Sequence, residues 1–264
     1  MNGYDAVIMR KSTRRYRLEP LNEELLDKIK NLIPTLMPLY ESTGIRFEIV
    51  PRKIYEESFK NISVKAPYYL VITSHPEQGY LENAGYMGEQ LVLELTKMRL
   101  GTCWMGSAGQ ESPNAANGRY CISIAFGKMV FGGQFRRSVN DFQRKKISDY
   151  ILYGSDNCNS KLLDLVQAAR LAPSAMNGQP VRYLVQGDKI HVFRKNSFWK
   201  QKTIGTDMQK IDVGIALANF TSASGALRTE IRFSKESEPP GMRSMIYITT
   251  GHVTFLPHEE SLLK

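Results

Sequence analysis

The chain has 264 residues, of which 42% are hydrophobic, and this composition fits a soluble globular protein. No apolar run approaches the ~20 residues that a membrane span needs, and the first 15 residues contain no apolar core of a signal peptide. We therefore expect a cytoplasmic protein that does not associate with membranes.

The formal net charge of +9 is dispersed, apart from a basic cluster at residues 10–17 and another at 136–146. Neither cluster is interleaved with the regular aromatic residues on which single-stranded bases stack, so we predict no nucleic-acid partner. The three cysteines form no CxxC pair, and the four histidines show no metal-ligand spacing. Reduced thiols and no metal site are expected.

The predicted elements follow one another in two similar series, each composed of a helix, a strand, a longer helix and a further strand. The first series comprises a helix at 25–33, a strand at 45–50, a long helix from Asn83 to about Arg99 and a strand at 122–128. The second comprises the segments 162–170, 181–185, 212–223 and 246–252. The stretches 131–143 and 234–242 read as loops.

The offset between the two series falls along the chain, which indicates shorter loops in the second series. Leu25 and Leu162, Arg46 and Arg182, Gly85 and Gly214, and Gly127 and Gly251 are 137, 136, 129 and 124 residues apart. This collinear similarity predicts an α+β fold of two related units with mixed sheets. The units are residues 1–150 and 151–264, the first and second halves below; chance similarity of the helices is the alternative.

Apolar residues nearly surround the long helix that begins at Asn83, so it is predicted to be central and buried, between the two halves. Cys103 and Trp104 follow it in an apolar run and are expected in the core. No histidine is linked by motif to Cys103, which argues against a catalytic thiol.

Four motifs together resemble the FMN-dependent nitroreductase family. They are "RKSTR" at residues 10–14, "APSAMNGQP" at 172–180, the helix followed by "GTCWMG" at 101–106, and "RKKISDYI" from Arg144. The resemblance implies the nitroreductase-like fold with bound FMN, and with NAD(P)H as a transient reductant.

The resemblance also places the cofactor-binding residues. Cations and a hydroxyl suit the FMN phosphate, which gives Arg10, Lys11, Ser12, Arg144 and Lys145 as candidates. Arg14 matches the position that faces the flavin pyrimidine, where a positive charge favours the reduced ring. The remaining candidates are Met105, Gly106 and Ser107 against the isoalloxazine, and Pro173, Ser174, Ala175, Asn177 and Gln179 in the second-half loop.

Family members normally form homodimers in which each site combines motifs from two subunits. Here the basic motif lies in the first half and the "APSAMNGQP" motif in the second, whereas the corresponding segments "IPTLMPLYESTG" and "ILYGSDNCNS" lack the matching residues. We therefore expect a fused chain that acts as a monomeric intramolecular pseudo-dimer, with one complete flavin site and a second, decayed site.

The predicted function is an NAD(P)H-dependent FMN oxidoreductase that reduces a small acceptor such as a nitroaromatic or a quinone. The protein would mainly supply orientation and electrostatics, so no catalytic side chain is nominated. Neither G-x-G-x-x-G after a strand nor a P-loop is present. A flavin-binding or flavin-processing protein without NAD(P)H turnover, and a basic interaction domain that has lost the cofactor, are the alternatives.

Overall fold

The structure is a computed structural model that describes residues 1–41, 44–110, 118–130, 135–152, 155, 159–196 and 206–257. Part of the predicted loop at 131–143 and Cys158 lie outside the described residues. Cys103 and Cys121 are both buried free thiols.

The described residues form six α-helices and ten strands. The helices are α1 Gly3–Met9, α2 Glu23–Leu32, α3 Arg52–Ser58, α4 Tyr80–Lys97, α5 Ser160–Arg170 and α6 Thr206–Ser224. The strands are β1 Arg46–Pro51, β2 Phe59–Lys60, β3 Tyr68–Ser74, β4 Gly101–Met105, β5 Gly109–Gln110, β6 Arg119–Gly127, β7 Val181–Gln186, β8 Lys189–Lys195, β9 Thr229–Ser234 and β10 Met245–Phe255.

The larger strands form two four-stranded sheets with the same internal order. The first sheet runs β1-β3-β6-β4 and the second runs β7-β8-β10-β9, and every neighbouring pair is antiparallel. In each half a long helix follows the second strand of the sheet along the chain: α4 lies between β3 and β4, and α6 lies between β8 and β9. The predicted α+β fold class is confirmed.

The predicted mixed sheets are not formed by the described strands: parallel pairing enters each sheet through an isolated bridge rather than through a full strand. Ser12 bridges to Thr102 in β4, and Ile151 bridges to Tyr183 in β7. The first bridge is closed by a hydrogen bond of 2.8 Å from the Thr13 amide to the Thr102 carbonyl. The basic N-terminal motif is thereby fixed to the edge of the first sheet.

Three helices begin at an asparagine whose side chain caps the first turn. Asn2, Asn22 and Asn159 accept hydrogen bonds from backbone amides two or three residues further on. The long helix α4 begins after Gly79, whose φ is 84°, and ends at Lys97 because Arg99 takes a left-handed φ of 63°. It therefore begins three residues before, and ends about two residues before, the predicted bounds.

Helices α4 and α6 pack against each other at the centre of the molecule, with Gly85 and Gly214 at their closest approach. Leu91, Val92 and Leu217 are completely buried in a core that contains residues of both halves. The prediction of a central, buried long helix is confirmed, because α4 presents apolar side chains to the first sheet and to α6.

The N-terminal helix α1 belongs to the first half in sequence but lies on α6 of the second half. Its approach is so close that a Cβ at Gly3 would stand 2.0 Å from the Ser222 carbonyl oxygen. The residues that follow α1 are therefore held where the two halves meet.

Candidate functional site

A cleft of about 660 Å³ opens where the two halves meet, and we call it the junction cleft. Its volume lies in the range of small-molecule sites. Three of the predicted motifs contribute to it, together with β6 and α6. The lining residues are Ser12, Arg14, Cys103, Trp104, Gly106, Ser107, Ile122, Pro173, Ser174, Ala175, Met176, Met208, Ile211, Asp212 and Ile215.

Seven of the fourteen predicted cofactor-binding residues line the junction cleft. They are Ser12, Arg14, Gly106, Ser107, Pro173, Ser174 and Ala175. The other seven lie around it without contributing to its described lining: Arg10, Lys11, Met105, Arg144, Lys145, Asn177 and Gln179. The structure thus brings the segments together but turns about half of the side chains elsewhere.

Within the N-terminal motif, Ser12 and Arg14 face the cleft. Lys11, which precedes them, is exposed outside it, and Thr13 between them is buried. This alternation follows from the extended backbone, in which successive side chains point to opposite sides. Arg14 is itself exposed, so its guanidinium is available to a ligand in the cleft.

Arg10 is directed into the protein and is only 2% exposed. Its Nε lies 3.5 Å from Oε1 of Glu89, which is completely buried on α4. Neither of these two atoms has a hydrogen-bond partner among the described residues. Burial raises the pKa of Glu89, and it lowers the pKa of Arg10 because the charged form loses its hydration.

Glu89 also anchors the indole of Trp104. Trp104 Nε1 donates a hydrogen bond of 2.8 Å to Glu89 Oε2, and the ring packs at the edge of the core while lining the cleft. Cys103 is buried as predicted, and burial raises the pKa of its thiol. A protonated thiol is a weak nucleophile, in line with the expectation of a structural role.

The end of β4 forms one wall of the cleft. Met105 is 1% exposed and belongs to the core, whereas Gly106 and Ser107 are exposed on the cleft side. Ser107 Oγ donates a hydrogen bond of 3.2 Å to the Asn61 carbonyl. A Cβ at Gly106 would lie 3.6 Å from Met208 Sδ, an ordinary contact, so packing within the protein does not by itself require glycine here.

The second-half loop has an unusual backbone. Met176, Asn177 and Gln179 have φ values of 49°, 53° and 51°, in the left-handed region that non-glycine residues rarely adopt. Such a conformation persists only when the surroundings enforce it. Met176 is 83% exposed and stands at the rim of the cleft.

The polar side chains of this loop hold the loop itself. Ser174 Oγ accepts a hydrogen bond of 2.9 Å from the Gln179 amide. Gln179 Oε1 accepts bonds from the Lys145 amide (2.8 Å) and the Tyr150 hydroxyl (2.7 Å). Gln179 is buried by these contacts, which explains why it does not reach the junction cleft.

Arg144 ties the end of the first half to the same loop. Its guanidinium donates to the carbonyls of Leu171 (3.2 Å) and Ala172 (3.1 Å) and to Asn177 Oδ1 (2.9 Å). Because these acceptors occupy its donors, Arg144 holds the loop from behind rather than facing the cleft. The side chain of Lys145 is exposed away from the cleft.

Asp212 on α6 is a residue of the cleft that sequence reasoning did not single out. It is 6% exposed, and its Oδ1 accepts a hydrogen bond of 2.9 Å from the Ala175 amide. Burial raises the pKa of Asp212 to about 7, and the Ala175 hydrogen bond opposes this shift. The sequence signal that could have identified Asp212 is its position as the one charged residue at the start of the apolar segment "DVGIALANF".

The described residues contain neither a cluster of metal ligands nor a membrane-spanning helix. No group of three or more His, Cys, Asp or Glu side chains in this part of the chain is placed to hold a metal ion. No helix within it combines the length and the apolar character needed to cross a membrane.

A known structure shares this fold, and others are similar to about half of the chain. A structure described as a "putative nitroreductase" from Thermotoga maritima is 22% identical, with 97% of this chain and 95% of that chain covered and a TM-score of 0.65. A nitroreductase family protein from Clostridium novyi is 20% identical over 50% of this chain and 87% of its own, with a TM-score of 0.43. A nitroreductase with bound FMN from Desulfitobacterium hafniense is 14% identical over 55% of this chain and 100% of its own, with a TM-score of 0.42.

No curated protein matches the chain in sequence. The family described as "Putative TM nitroreductase" matches residues 2–224, which include both long helices and all three motifs that reach the junction cleft. The chain therefore belongs to this nitroreductase family.

Proposed function

We propose that the protein is an FMN-dependent oxidoreductase in which NAD(P)H is the reductant and a small molecule such as a nitroaromatic or a quinone is the acceptor. The observation that carries this proposal is the junction cleft, where "RKSTR", the end of "GTCWMGS" and "APSAM" form one cavity of about 660 Å³. Membership of a nitroreductase family supports the general class of reaction.

The lining of the cleft suits the two chemical parts of FMN. Ile122, Ile211 and Ile215 provide apolar surface for a flat tricyclic ring. Arg14 and Ser12 provide a cation and a hydroxyl donor, which suit either the phosphate or the electron-rich edge of the ring. The donors and the apolar surface that the cofactor requires are therefore present in one cavity.

Bound FMN would supply the capacity to accept a hydride and to pass its electrons on. The chain's own residues would bind and orient it: Arg14 contributes positive charge and the apolar residues of α6 exclude water. Arg10 and Glu89 would act indirectly, because they fix Trp104 in the cleft wall. Arg144, Asn177 and Gln179 would act by holding the loop that presents Pro173 to Met176.

We further infer that one chain suffices for one flavin site, because residues 1–150 and residues 151–264 both line the junction cleft. The common strand order of the two sheets supports a pseudo-dimeric arrangement of these halves. A monomer that binds one equivalent of FMN is the expected stoichiometry. Light scattering combined with flavin absorbance measures it directly.

The test begins with the visible spectrum of the purified protein, before and after addition of FMN. Flavin absorbance that is bleached by NADH or NADPH without oxygen, and restored by a quinone or nitroaromatic, supports the whole proposal. A yellow protein inert to both nucleotides indicates flavin binding without NAD(P)H turnover. A protein that binds no FMN contradicts the proposal and favours a domain that has lost its cofactor.

The residue test compares two neighbouring arginines. Arg14→Gln removes a cation from the cleft and should weaken FMN binding by about tenfold, the size of one charge-assisted hydrogen bond. Arg15→Gln removes the same charge from an exposed position that is outside the described cleft lining, and should leave the affinity unchanged. Equal losses in both variants would indicate a general charge effect rather than a contact.

A further inference from the structure

A second, smaller cleft of about 270 Å³ is also lined by residues of both halves. Its described lining includes Tyr40, Glu82, Arg194, Lys210, Lys235 and Ile246. We call it the second cleft. Its volume is less than half that of the junction cleft, so a ligand here must be smaller than one that fills the junction cleft.

The second cleft occupies the place that corresponds to the junction cleft. Ile246 on β10 matches Ile122 on β6, since each begins one of the similar segments "IYITTGH" and "ISIAFGK". Ile122 lines the junction cleft and Ile246 lines the second cleft. On the long helices, Ile211 of α6 lines the former and Glu82 of α4 lines the latter.

One buried position differs in chemistry between the two clefts. In the first sheet Ile122 is paired with Ile72, which is completely buried. In the second sheet Ile246 is paired with Arg194, which is 5% exposed and lines the second cleft. A guanidinium therefore stands where the other half has a hydrocarbon side chain.

The guanidinium of Arg194 is only partly paired among the described residues, where Glu82 is the carboxylate that acts on its charge. Its Nη1 donates a hydrogen bond of 2.7 Å to Gln209 Oε1, but its Nε has no partner among the described residues. Burying a cation without full pairing is unfavourable, and the isoleucine at the corresponding position shows that the fold can hold an apolar side chain there. The arginine is thus better explained by a ligand than by packing.

The remaining charges around the cleft favour an anion. Lys210 and Lys235 also line it, which gives three cations with Arg194 against the two carboxylates of Glu77 and Glu82. A narrow cavity with an excess of positive charge concentrates anions, and a guanidinium pairs well with two oxygens of a carboxylate or phosphate.

One wall of the second cleft is rigidly placed. Asn83 Oδ1 accepts hydrogen bonds from the amides of Leu39 (2.8 Å) and Tyr40 (2.9 Å), and its Nδ2 donates to the Tyr40 carbonyl (3.0 Å). The Tyr40 ring packs against Gly79, where a Cβ would stand only 2.5 Å from Tyr40 Cδ2. Such a fixed wall lowers the entropic cost of ligand binding.

We propose that the second cleft binds a small organic oxyanion, a carboxylate or a phosphate ester, whose charged group pairs with Arg194. Ile246 and Ile248 provide apolar surface for the rest of the molecule. This site is separate from the flavin chemistry of the junction cleft and does not depend on it.

Isothermal titration calorimetry on the full chain with excess FMN tests the proposal. The probes are inorganic phosphate, succinate and benzoate, each at constant ionic strength set with sodium chloride. Saturable binding of at least one probe is expected. Binding of phosphate alone, or of the carboxylates alone, would identify the chemical class of the ligand. Arg194→Met should weaken that binding at least about tenfold, whereas the exposed Arg15→Met should not.

Three results would overturn the proposal: saturable binding of none of the probes, unchanged binding in Arg194→Met, or binding that is lost in Arg14→Gln, since the anion would then lie in the junction cleft. Urea unfolding without any probe gives an independent check. Arg194→Met should be at least as stable as the natural protein, because methionine replaces an incompletely paired cation. Lower stability would indicate a structural arginine and would contradict a ligand-binding role.

Discussion

Gly85 and Gly214 make reciprocal contacts across the two central helices. A Cβ at Gly85 would stand 2.1 Å from the Ile211 carbonyl oxygen, and one at Gly214 would stand 2.0 Å from the Glu82 carbonyl oxygen. Gly214 follows Gly85 by 129 positions, and Ile211 follows Glu82 by the same number. The similar segments of the two halves therefore meet each other at equivalent residues, and both clefts lie beside this crossing.

Gly214→Ala should destabilise the protein by at least about 2 kcal/mol, because the helices must separate to accommodate the methyl group. Urea unfolding measures this loss. Gly225→Ala is the matched control, since an added Cβ there has no described atom within 4 Å and should change stability by less than about 0.5 kcal/mol. Equal effects at the two sites would show that the close approach is not energetically important.

Because Arg10 and Glu89 are buried together, substitutions at these two positions should have strongly coupled effects on the free energy of unfolding. Glu89→Gln removes the carboxylate 3.5 Å from Arg10 and leaves a buried cation without its counter-charge, at a loss of about 3 kcal/mol. The double variant Arg10→Met with Glu89→Gln should be more stable than Glu89→Gln alone. A double-mutant cycle in urea gives the coupling, and additive losses would contradict the ion pair.

Asp212 should make the free energy of unfolding depend on pH. Burial raises its pKa to about 7 from an ordinary value of 3.8, so the folded protein retains this proton to higher pH than the unfolded chain. The free energy of unfolding should therefore decrease by at most about 4 kcal/mol between about pH 4 and pH 7, and it should then level off.

Asp212→Asn should remove this decrease, because the amide does not titrate and its oxygen can still accept the Ala175 hydrogen bond. The measurement is the difference in unfolding free energy between the two proteins at several pH values. Curves that run parallel from pH 4 to pH 8 would show that Asp212 titrates normally.

The hydrogen bonds of Arg144 should stabilise the backbone of the second-half loop. Arg144→Met removes donors to Leu171, Ala172 and Asn177, so amides of residues 174–179 should exchange with deuterium at least about tenfold faster. Lys146→Met removes the same charge from an exposed side chain nearby and should leave exchange unchanged. Protection that survives in Arg144→Met would show that the loop holds its backbone without the arginine.

The sequence alone was sufficient to predict the α+β class, the central long helix and the segments that form the junction cleft. Periodic apolar residues define which helix is buried, and motifs define which segments belong to one site. These features depend on residue types at short separations, such as "RKSTR" and "APSAMNGQP".

The direction of each polar side chain was decided only by the tertiary structure. Arg10, Arg144, Asn177 and Gln179 carry suitable donors for a cofactor, yet each meets a partner that is distant in sequence: Glu89 for Arg10, Asn177 for Arg144 and Tyr150 for Gln179. Asp212 and Arg194 became recognisable for the same reason. Burial and pairing depend on contacts between residues that are distant in sequence, and no local pattern specifies which of several possible partners a charged group will meet.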